Sequence, residues 1–216
     1  MPIEVERKFV PREGETERKL AELGAVPLGS ARLQDQYYDT EDSRLTASDL
    51  WLRRRDGAWE LKSPVGSPHG AGASTTQYRE SVSEPEIVSL ILQALGRGAT
   101  ADPGPSQLEH LLQGEGGGPC LAPFASIMTH RDSYHLPGPA GGARVTIDRT
   151  DFGHRVAEIE VMVGTEAEVP RAQAQIQEIA AKLGIEETDS QIGKLNVYLQ
   201  KFRPRHFQRL CEAGVL

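Results

Sequence analysis

Carboxylates at alternate positions occur near both ends of the chain. Glu4 and Glu6 are two residues apart, and Glu158 and Glu160 repeat that spacing. Residues two apart on a β-strand face the same side, so each pair would set two carboxylates next to each other. Their repulsion favours a divalent cation between them, and oxygen ligands without Cys or His partners select Mg²⁺, with Mn²⁺ as a substitute, over zinc. The spacing therefore predicts a metal site of hard oxygen ligands.

Basic residues follow the same period. Lys8 continues the series that Glu4 and Glu6 begin, and Arg53 and Arg55 form a second pair. A guanidinium group matches phosphate oxygens with two parallel N–H donors. Splitting the predicted strands into alternate positions places seven acidic and six basic residues on one face, namely Glu4, Glu6, Lys8, Arg53, Arg55, Glu60, Lys62, Glu80, Arg131, Arg144, Asp148, Glu158 and Glu160. Their charge of about −1 suits two divalent ions at roughly +4 together with a triphosphate at roughly −4.

Eight strands must position these residues. The period-two pattern predicts strands at 3–9, 32–39, 49–55, 58–63, 75–82, 124–136, 143–149 and 155–163. Helices are predicted at 14–24, 83–95, 106–113, 168–184, 190–201 and 204–213. The Gly- and Pro-rich stretches 64–74 and 96–119 are predicted to be surface loops, apart from the short helix.

The connections between these strands indicate an antiparallel sheet. Asp56-Gly57 is a strong hairpin signal, and most other connections are too short for a parallel crossover. An eight-stranded antiparallel sheet tends to close, because closure removes its edges. The prediction is an α+β fold: a closed eight-stranded antiparallel β-barrel wrapped by helices. It forms one domain over 1–216, with C-terminal helices from about 168.

The charged face has two interpretations. Antiparallel sheets usually expose a polar face to solvent over an apolar core, which is the simpler interpretation for any one strand. Successive charged doublets, such as Glu4 with Glu6 and Arg53 with Arg55, favour the other interpretation. Helices would then cover the apolar face outside the barrel, and the charged face would line its interior.

Composition limits the possible partners. The net charge is −7, which argues against a general nucleic-acid surface. The two cysteines, Cys120 and Cys211, show no metal-ligand spacing. No apolar run reaches transmembrane length, and charges near the N-terminus do not fit a signal peptide. We therefore expect a cytoplasmic protein without a membrane partner, and a monomer, because no long apolar edge demands a second copy.

Several stretches together resemble the CYTH family, also called triphosphate tunnel metalloenzymes. The family hallmark, Glu-x-Glu-x-Lys near the N-terminus, is Glu4-Val5-Glu6-Arg7-Lys8 here. Further matches are Tyr37-Tyr38-Asp39-Thr40, the pair Arg53 and Arg55, Glu60-Leu61-Lys62 and Glu158-Ile159-Glu160. The resemblance covers essentially the whole chain, and it implies an eight-stranded antiparallel barrel around a triphosphate tunnel.

Within the family, the chain is most similar to the vertebrate branch that acts on thiamine triphosphate. The matching stretches are Ile3 to Phe9, Trp51 to Arg55, Thr150 to Gly153, Val197 to Gln200 and Phe202 to Pro204. The resemblance implies Mg²⁺-dependent hydrolysis of thiamine triphosphate to thiamine diphosphate and phosphate. A metal-activated water would attack the terminal phosphorus, and no Cys, Ser or His nucleophile is required.

The resemblance also implies roles for individual residues. The metal ligands would be Glu4, Glu6, Asp148, Glu158 and Glu160. The triphosphate would be held by Lys8, Arg53, Arg55, Lys62, Arg131 and Lys194. The catalytic set would be Glu4, Glu6, Lys8, Arg55, Glu158 and Glu160. Trp51 would stack on the cationic thiazolium, and Tyr78 would contact the organic group.

One position departs from some members of the family. Thr146 lies two residues before Asp148, where some relatives carry a second aspartate. Either Asp148 is then the main ligand of this strand, or the metal site has one ligand fewer. Three other functions remain as alternatives: an inorganic triphosphatase, a nucleoside triphosphatase and a non-catalytic polyphosphate-binding module. A cyclase is disfavoured by Trp51 and the C-terminal matches.

Overall fold

The fold is described from a computed structural model of the 216-residue chain. The structure describes residues 2–66, 75–96, 107–114, 120–138, 141–186 and 193–216. Most of the predicted loop at 64–74, the parts of 96–119 that flank the short helix, and the predicted start of the helix at 190–201 lie outside these residues.

Eight strands and six helices form the described structure. The strands are β1 (Ile3–Phe9), β2 (Val26–Asp39), β3 (Trp51–Arg55), β4 (Ala58–Pro64), β5 (Thr76–Ser81), β6 (Ala122–Leu136), β7 (Ala143–Thr150) and β8 (Arg155–Val163). The helices are α1 (Glu15–Glu22), α2 (Glu84–Ala94), α3 (Gln107–Gln113), α4 (Val169–Leu183), α5 (Lys194–Phe202) and α6 (Pro204–Glu212). Two 3₁₀ turns cover Thr46–Ser48 and Glu166–Glu168.

The strands close into an antiparallel barrel in the order β1-β5-β4-β3-β2-β6-β7-β8, so the predicted fold class is confirmed. The hairpin between β3 and β4 turns at Asp56 and Gly57, whose φ angles of 47° and 93° are those that this tight turn requires. Strand β2 is longer than predicted. It begins at Val26 rather than residue 32, because its first half pairs with β6.

The apolar faces of the strands point outward and pack under helices. Val5 of β1 and Ile159 of β8 are fully buried beneath α4, where Ile176 joins the same core. On the opposite side, Leu52 and Leu61 pack with α2. Each fully buried aliphatic side chain of this kind stabilises the fold by roughly 1.5–3 kcal/mol. The charged face therefore lines the interior, and the interpretation as a solvated outer face is wrong.

Arg7 shows how the outer face is fixed. It lies between Glu6 and Lys8 in sequence but points away from the interior, and it is 3% exposed. Its guanidinium donates to the Gln177 side chain at 2.8 Å and to the Glu186 carbonyl at 3.0 Å. These bonds tie β1 to helix α4 and to the segment that follows it.

Helices α5 and α6 close one part of the interior. Tyr37 and Ile127, on neighbouring strands, share a buried cluster with Leu195, Leu199 and Leu210 of these helices. The interior is thus bounded by strands around its circumference and by two helices on one side. None of the helices in the described ranges is long and apolar enough to cross a membrane.

Candidate active site

A cavity of about 600 Å³ occupies the interior of the barrel. All eight strands and helices α5 and α6 contribute to its wall. Its charged lining residues are Glu4, Glu6, Lys8, Arg53, Arg55, Lys62, Glu80, Arg131, Arg144, Glu158, Glu160 and Lys194. Trp51 and Tyr78 line it as well. Every residue predicted for the site, except Asp148, is among the described residues that line the cavity. Asp148 lies behind Arg131, to which it is hydrogen-bonded.

Three buried carboxylates converge on one region of the cavity. Oxygens of Glu4, Glu6 and Glu160 lie within 4.8 Å of one another, and no described His or Cys is among them. Burial, and then the nearby charges of Glu158 and Glu4, raise the pKa of Glu160 to about 8. Burial raises the pKa of Glu4 as well, against the opposing effect of Lys62. Such crowding of like charge is relieved by a divalent cation, and an all-oxygen ligand set suits Mg²⁺ or Mn²⁺.

Two lysines pair with this carboxylate cluster. Lys8 donates to Glu6, and Lys62 donates to Glu4. Burial acts to raise the pKa of Glu6, but Lys8 and Lys62 outweigh it and hold that pKa well below its usual range. The two lysines therefore neutralise part of the negative charge of the carboxylate cluster. A bound cation would take over this role, and the lysine ammonium groups would then be available to an anion such as phosphate.

Glu158 stands slightly apart from this cluster. Its carboxylate lies 3.8 Å from the Lys8 ammonium and 3.5 Å from the Arg131 guanidinium. It is opposite Lys8 in the pairing of β1 with β8, as Glu160 is opposite Glu6. The structure thus brings both predicted carboxylate pairs onto adjacent strands, with Glu160 nearest to Glu4 and Glu6.

Arginines on the wall are fixed by carboxylates that stand beside or behind them. Arg55 donates to both oxygens of Asp35, at 2.6 Å and 2.9 Å. Arg53 donates to Glu60 at 2.5 Å and to Glu80 at 3.2 Å. An arginine held by such a bond loses little conformational freedom when its remaining N–H groups bind an anion. These pairs thus fix the positions of the two guanidinium groups at the cavity wall.

Asp148 joins two further cations. Arg131 donates to its two oxygens, both at 2.7 Å, and Lys194 of α5 donates to one of them at 3.1 Å. Lys194 also lies 3.4 Å from Asp35. Burial acts to raise the pKa of Asp148, but Arg131 and Lys194 outweigh it and lower that pKa. The predicted role of Asp148 as a metal ligand stays a prediction, since both of its oxygens already accept hydrogen bonds here.

Thr146 lies at the position where a second aspartate was considered. It is fully buried on β7, opposite Glu158 of β8. Its hydroxyl has no hydrogen-bond partner within the part of the chain that the structure describes, and neither has that of Thr129 on β6. The two alternatives for this strand, Asp148 as its main ligand or a metal site with one ligand fewer, stay predictions.

The cavity also has an apolar wall. Its members are Tyr37, Trp51, Leu195, Phe207, Val215 and Leu216, which line the cavity and share one hydrophobic cluster. Two come from strands, and the others come from α5, α6 and the residues after α6. The cavity therefore combines a highly charged surface with a surface suited to an organic group.

Asp49 connects this apolar wall to Tyr78. Its Oδ1 atom accepts a hydrogen bond from the Trp51 indole at 2.7 Å and one from the Tyr78 hydroxyl at 2.9 Å. Burial, and then Asp49, raise the pKa of Tyr78, so the phenol stays protonated as a donor. Trp51 and Tyr78, predicted separately to contact the organic group, are thus held by a single carboxylate.

Several residues of the site were missed from the sequence. Asp35 and Tyr37 lie on predicted strand 32–39, and splitting that strand by two would have placed both on the inner face. Asp49 is in phase with Trp51 in predicted strand 49–55, although in the structure it lies in the turn before β3. Phe207 lies within the basic stretch Lys201–Arg209 and lines the cavity. No pattern in the surrounding sequence marks Phe207 as a cavity residue.

Comparison with known proteins assigns the family. A CYTH domain model matches residues 2–191. The chain belongs to the CYTH family. Enzymes of this family typically depend on a divalent metal and act on small triphosphates, and the buried cluster of three glutamates fits that requirement. The resemblance found from the motifs is therefore confirmed.

Curated relatives cover nearly the whole chain. Human thiamine-triphosphatase is 39% identical over 224 residues, which span 98% of this chain and 90% of the human protein. Thiamine-triphosphatase of Macaca fascicularis is 38% identical over 218 residues, with the same coverage.

Solved structures with lower identity share the fold. The PH1819 protein of Pyrococcus horikoshii OT3 has a TM-score of 0.55 and 18% identity, covering 92% of this chain and 99% of its own. A Hippeastrum protein with a dominant triphosphatase activity has a TM-score of 0.56 and 20% identity, covering 93% and 96%. At these identities, the likeness concerns the architecture alone.

Proposed function

We propose that the protein hydrolyses thiamine triphosphate to thiamine diphosphate and phosphate with Mg²⁺ as its metal and Mn²⁺ as a substitute. The observation that supports this most is the division of one cavity into a charged surface and an apolar wall. Human thiamine-triphosphatase, at 39% identity over nearly the whole chain, supports the choice of substrate. An inorganic triphosphate would leave the apolar wall without a ligand.

Glu4, Glu6 and Glu160 would hold the metal, with Glu158 beside them. The donor set fits, because three carboxylates with mutually close oxygens and a raised pKa at Glu160 favour a bound dication. A divalent cation in this position would supply positive charge to the phosphate oxygens during phosphoryl transfer. Asp148 stays a predicted ligand, and it would have to exchange hydrogen bonds from Arg131 and Lys194 for the metal.

The basic residues would bind the triphosphate. Arg53, Arg55 and Arg131 are already oriented by carboxylates, so they offer fixed donors to the phosphate oxygens. Lys8, Lys62 and Lys194 add point charges. Phosphoryl transfer is accelerated mainly by such positioning and by electrostatic stabilisation of the three equatorial oxygens. The wall therefore stabilises the charge distribution of the transition state.

The reaction needs no protein nucleophile. Among the described residues that line the cavity, none is Cys, Ser or His. We infer direct attack by water on the terminal phosphorus, with the thiamine diphosphate oxygen as the leaving group. The apolar wall would hold the thiamine end, which places the terminal phosphate near the carboxylate cluster.

Isotope labelling tests this reaction. The protein is incubated with thiamine triphosphate in H₂¹⁸O with Mg²⁺, Mn²⁺ or EDTA, and the products are analysed by ³¹P NMR. We expect ¹⁸O in the released orthophosphate, unlabelled thiamine diphosphate and loss of activity in EDTA. Label in thiamine diphosphate, or an acid-stable phosphoprotein in quenched samples, would contradict direct attack on the terminal phosphorus.

A further inference from the structure

Asp35 is a fully buried aspartate between an arginine of the barrel and a lysine of a helix. On β2 it stands opposite Arg55 of β3, and its two oxygens accept hydrogen bonds from the Arg55 Nε and Nη2 groups at 2.6 Å and 2.9 Å. The ammonium group of Lys194, the first residue of α5, lies 3.4 Å from the Asp35 Oδ2 atom. One carboxylate therefore contacts two cations that line the cavity from different elements.

The Asp35 carboxylate is ionised, because its neighbours are positive. Burial acts to raise the pKa of Asp35, but the hydrogen bond from Arg55 and the charges of Arg53 and Lys194 outweigh burial and hold that pKa well below its usual range. Without this anion, the three cations would repel one another at short range. Asp35 therefore allows Arg53, Arg55 and Lys194 to lie close together at the cavity wall.

Asp148 repeats this arrangement on the other side of Lys194. Arg131 donates to Asp148 through its Nε and Nη2 groups, both at 2.7 Å, and the Lys194 ammonium lies 3.1 Å from Oδ2. Both aspartates bind the Nε–Nη2 edge of their arginine, so the Nη1–Nη2 edge can bind a phosphate. Lys194 thus joins two aspartate–arginine pairs, and its position depends on both aspartates.

Charge and position give Asp35 opposite effects on a bound anion. A carboxylate beside a phosphate site repels phosphate, so its charge alone would weaken the binding of a triphosphate. As a fixed acceptor it has the reverse effect, because cations that are held before binding lose less conformational freedom when the anion arrives. Ordering one such side chain is worth about fivefold in affinity, and Asp35 orders two of them.

We propose that Asp35 is a positioning residue that holds Arg55 of the barrel and Lys194 of helix α5 in place for the triphosphate. The proposal rests on the proposed function, in which these two cations bind the triphosphate. It adds that the triphosphate site extends across the junction between the barrel and α5, and that one carboxylate links the two parts. Because Leu195 of the same helix belongs to the apolar wall, this link also ties the two surfaces of the cavity together.

Binding without turnover tests the proposal. Diimidotriphosphate, whose two bridging oxygens are replaced by NH groups that resist hydrolysis, is titrated by calorimetry with Mg²⁺ into the wild type and into Asp35→Asn. Asparagine has the size of aspartate but no charge, and its amide NH₂ group cannot accept a hydrogen bond. We expect about thirtyfold weaker binding in Asp35→Asn, whereas the loss of a repelling charge alone would give tighter binding.

Asp132→Asn is the matched control. Asp132 also accepts a hydrogen bond from an arginine, Arg149, at 2.6 Å. Neither of these two is among the described residues that line the cavity. The affinity of Asp132→Asn for diimidotriphosphate should therefore stay within about twofold of the wild-type value.

Lys194→Met tests the second contact of Asp35. Without the ammonium group, Asp35 positions Arg55 alone, so Asp35→Asn should weaken binding only about fivefold in this background. An equal loss of about thirtyfold in both backgrounds would show that Asp35 does not act through Lys194, and it would overturn the proposed link.

A measurement on the wild type keeps the proposal testable if Asp35→Asn does not fold. The Arg55 Nε–H group is observed by ¹H–¹⁵N NMR, and its signal is identified by its absence in Arg55→Lys. We expect this signal to be shifted downfield and to exchange slowly with solvent before and after diimidotriphosphate binds, because Nε donates to Asp35 throughout. A signal averaged with those of exposed arginines would overturn the positioning role.

Two titration results would also overturn it: binding to Asp35→Asn that equals or exceeds binding to the wild type, or no binding to the wild type. None of these measurements depends on hydrolysis. If thiamine triphosphate were not hydrolysed while diimidotriphosphate bound the wild type and bound Asp35→Asn more weakly, the proposed reaction would be wrong and the role of Asp35 would be supported.

Discussion

The charged surface and the apolar wall of the cavity are built in different ways. The charged surface comes from regular strands, where carboxylates and basic residues alternate and pair across the barrel. The apolar wall comes largely from helices α5 and α6 and from the chain that follows them. This difference teaches how the proposed function would be divided: the barrel would supply most of the contacts to the triphosphate. The organic group would be selected by Trp51 and Tyr78 of the barrel together with the helices added to one side of it.

The largest effect is expected at the charged surface. Replacing Glu4 or Glu6 by Gln removes a charged ligand from the carboxylate cluster, so kcat/KM should fall about 10³-fold. The loss should be equal for thiamine triphosphate and tripolyphosphate, because both share the triphosphate. Steady-state phosphate release measures it. Glu178→Gln, at an exposed ion pair on α4, is the control, and its kcat/KM should stay within about twofold of the wild-type value. Unequal losses on the two substrates in the Glu4 or Glu6 variants would contradict a role shared by both substrates.

Arg131 should show the next largest effect. Arg131→Ala removes a phosphate donor and leaves buried Asp148 with Lys194 alone, so we expect about 10²-fold lower kcat/KM on both substrates. Arg131→Lys keeps the charge but cannot make the two parallel hydrogen bonds. Its kcat/KM should therefore lie between those of the wild type and the alanine variant. If lysine restored full activity, fixed geometry would be unimportant at this position.

Trp51 should distinguish the two surfaces. Trp51→Ala removes the ring that would meet the thiazolium, so kcat/KM for thiamine triphosphate should fall about 30-fold. Tripolyphosphate has no organic group, so kcat/KM for this substrate should fall less than about threefold. Trp59 points outward, where it packs with Tyr38, so Trp59→Phe is the matched control. Equal losses on both substrates in Trp51→Ala would remove the stacking role.

The last prediction concerns pH and metal affinity. Without a cation, the pKa of Glu160 is about 8, so this group is largely protonated at neutral pH. Mg²⁺ needs the carboxylate and must displace that proton, so its affinity should rise up to about tenfold per pH unit below 8 and level off above it. Calorimetric titration from pH 6 to 9 would measure this. Glu160→Gln should bind Mg²⁺ more weakly and with a flatter pH dependence, and an unchanged slope would exclude Glu160 as the titrating group.

The barrel was largely predictable from the sequence, because strand periodicity and a closed antiparallel sheet leave few alternatives. Glu4, Glu6 and Glu160 follow the period of two, so their convergence could be anticipated once closure was assumed. Strand β2 was predicted too short, since its first half alternates weakly and is stabilised by pairing with β6 rather than by burial.

The apolar wall was much less predictable. Trp51 was identified, and Asp49 is in phase with it in predicted strand 49–55. The hydrogen bond between them, however, depends on the left-handed turn at Asp49, which periodicity does not predict. Phe207 and Leu216 reach the cavity only through the packing of α6 against the barrel, which no local pattern records. Asp35 lies between these cases, because alternation points it inward while its pairing with Arg55 depends on strand register.

The most direct test is a phosphate-release panel on the wild type with Mg²⁺. It compares kcat/KM for thiamine triphosphate, ATP and tripolyphosphate under identical conditions. If the charged surface binds the triphosphate and the apolar wall selects thiamine, thiamine triphosphate should exceed both other substrates by at least about tenfold. A preference for ATP or tripolyphosphate would contradict the assigned substrate and the role of the apolar wall.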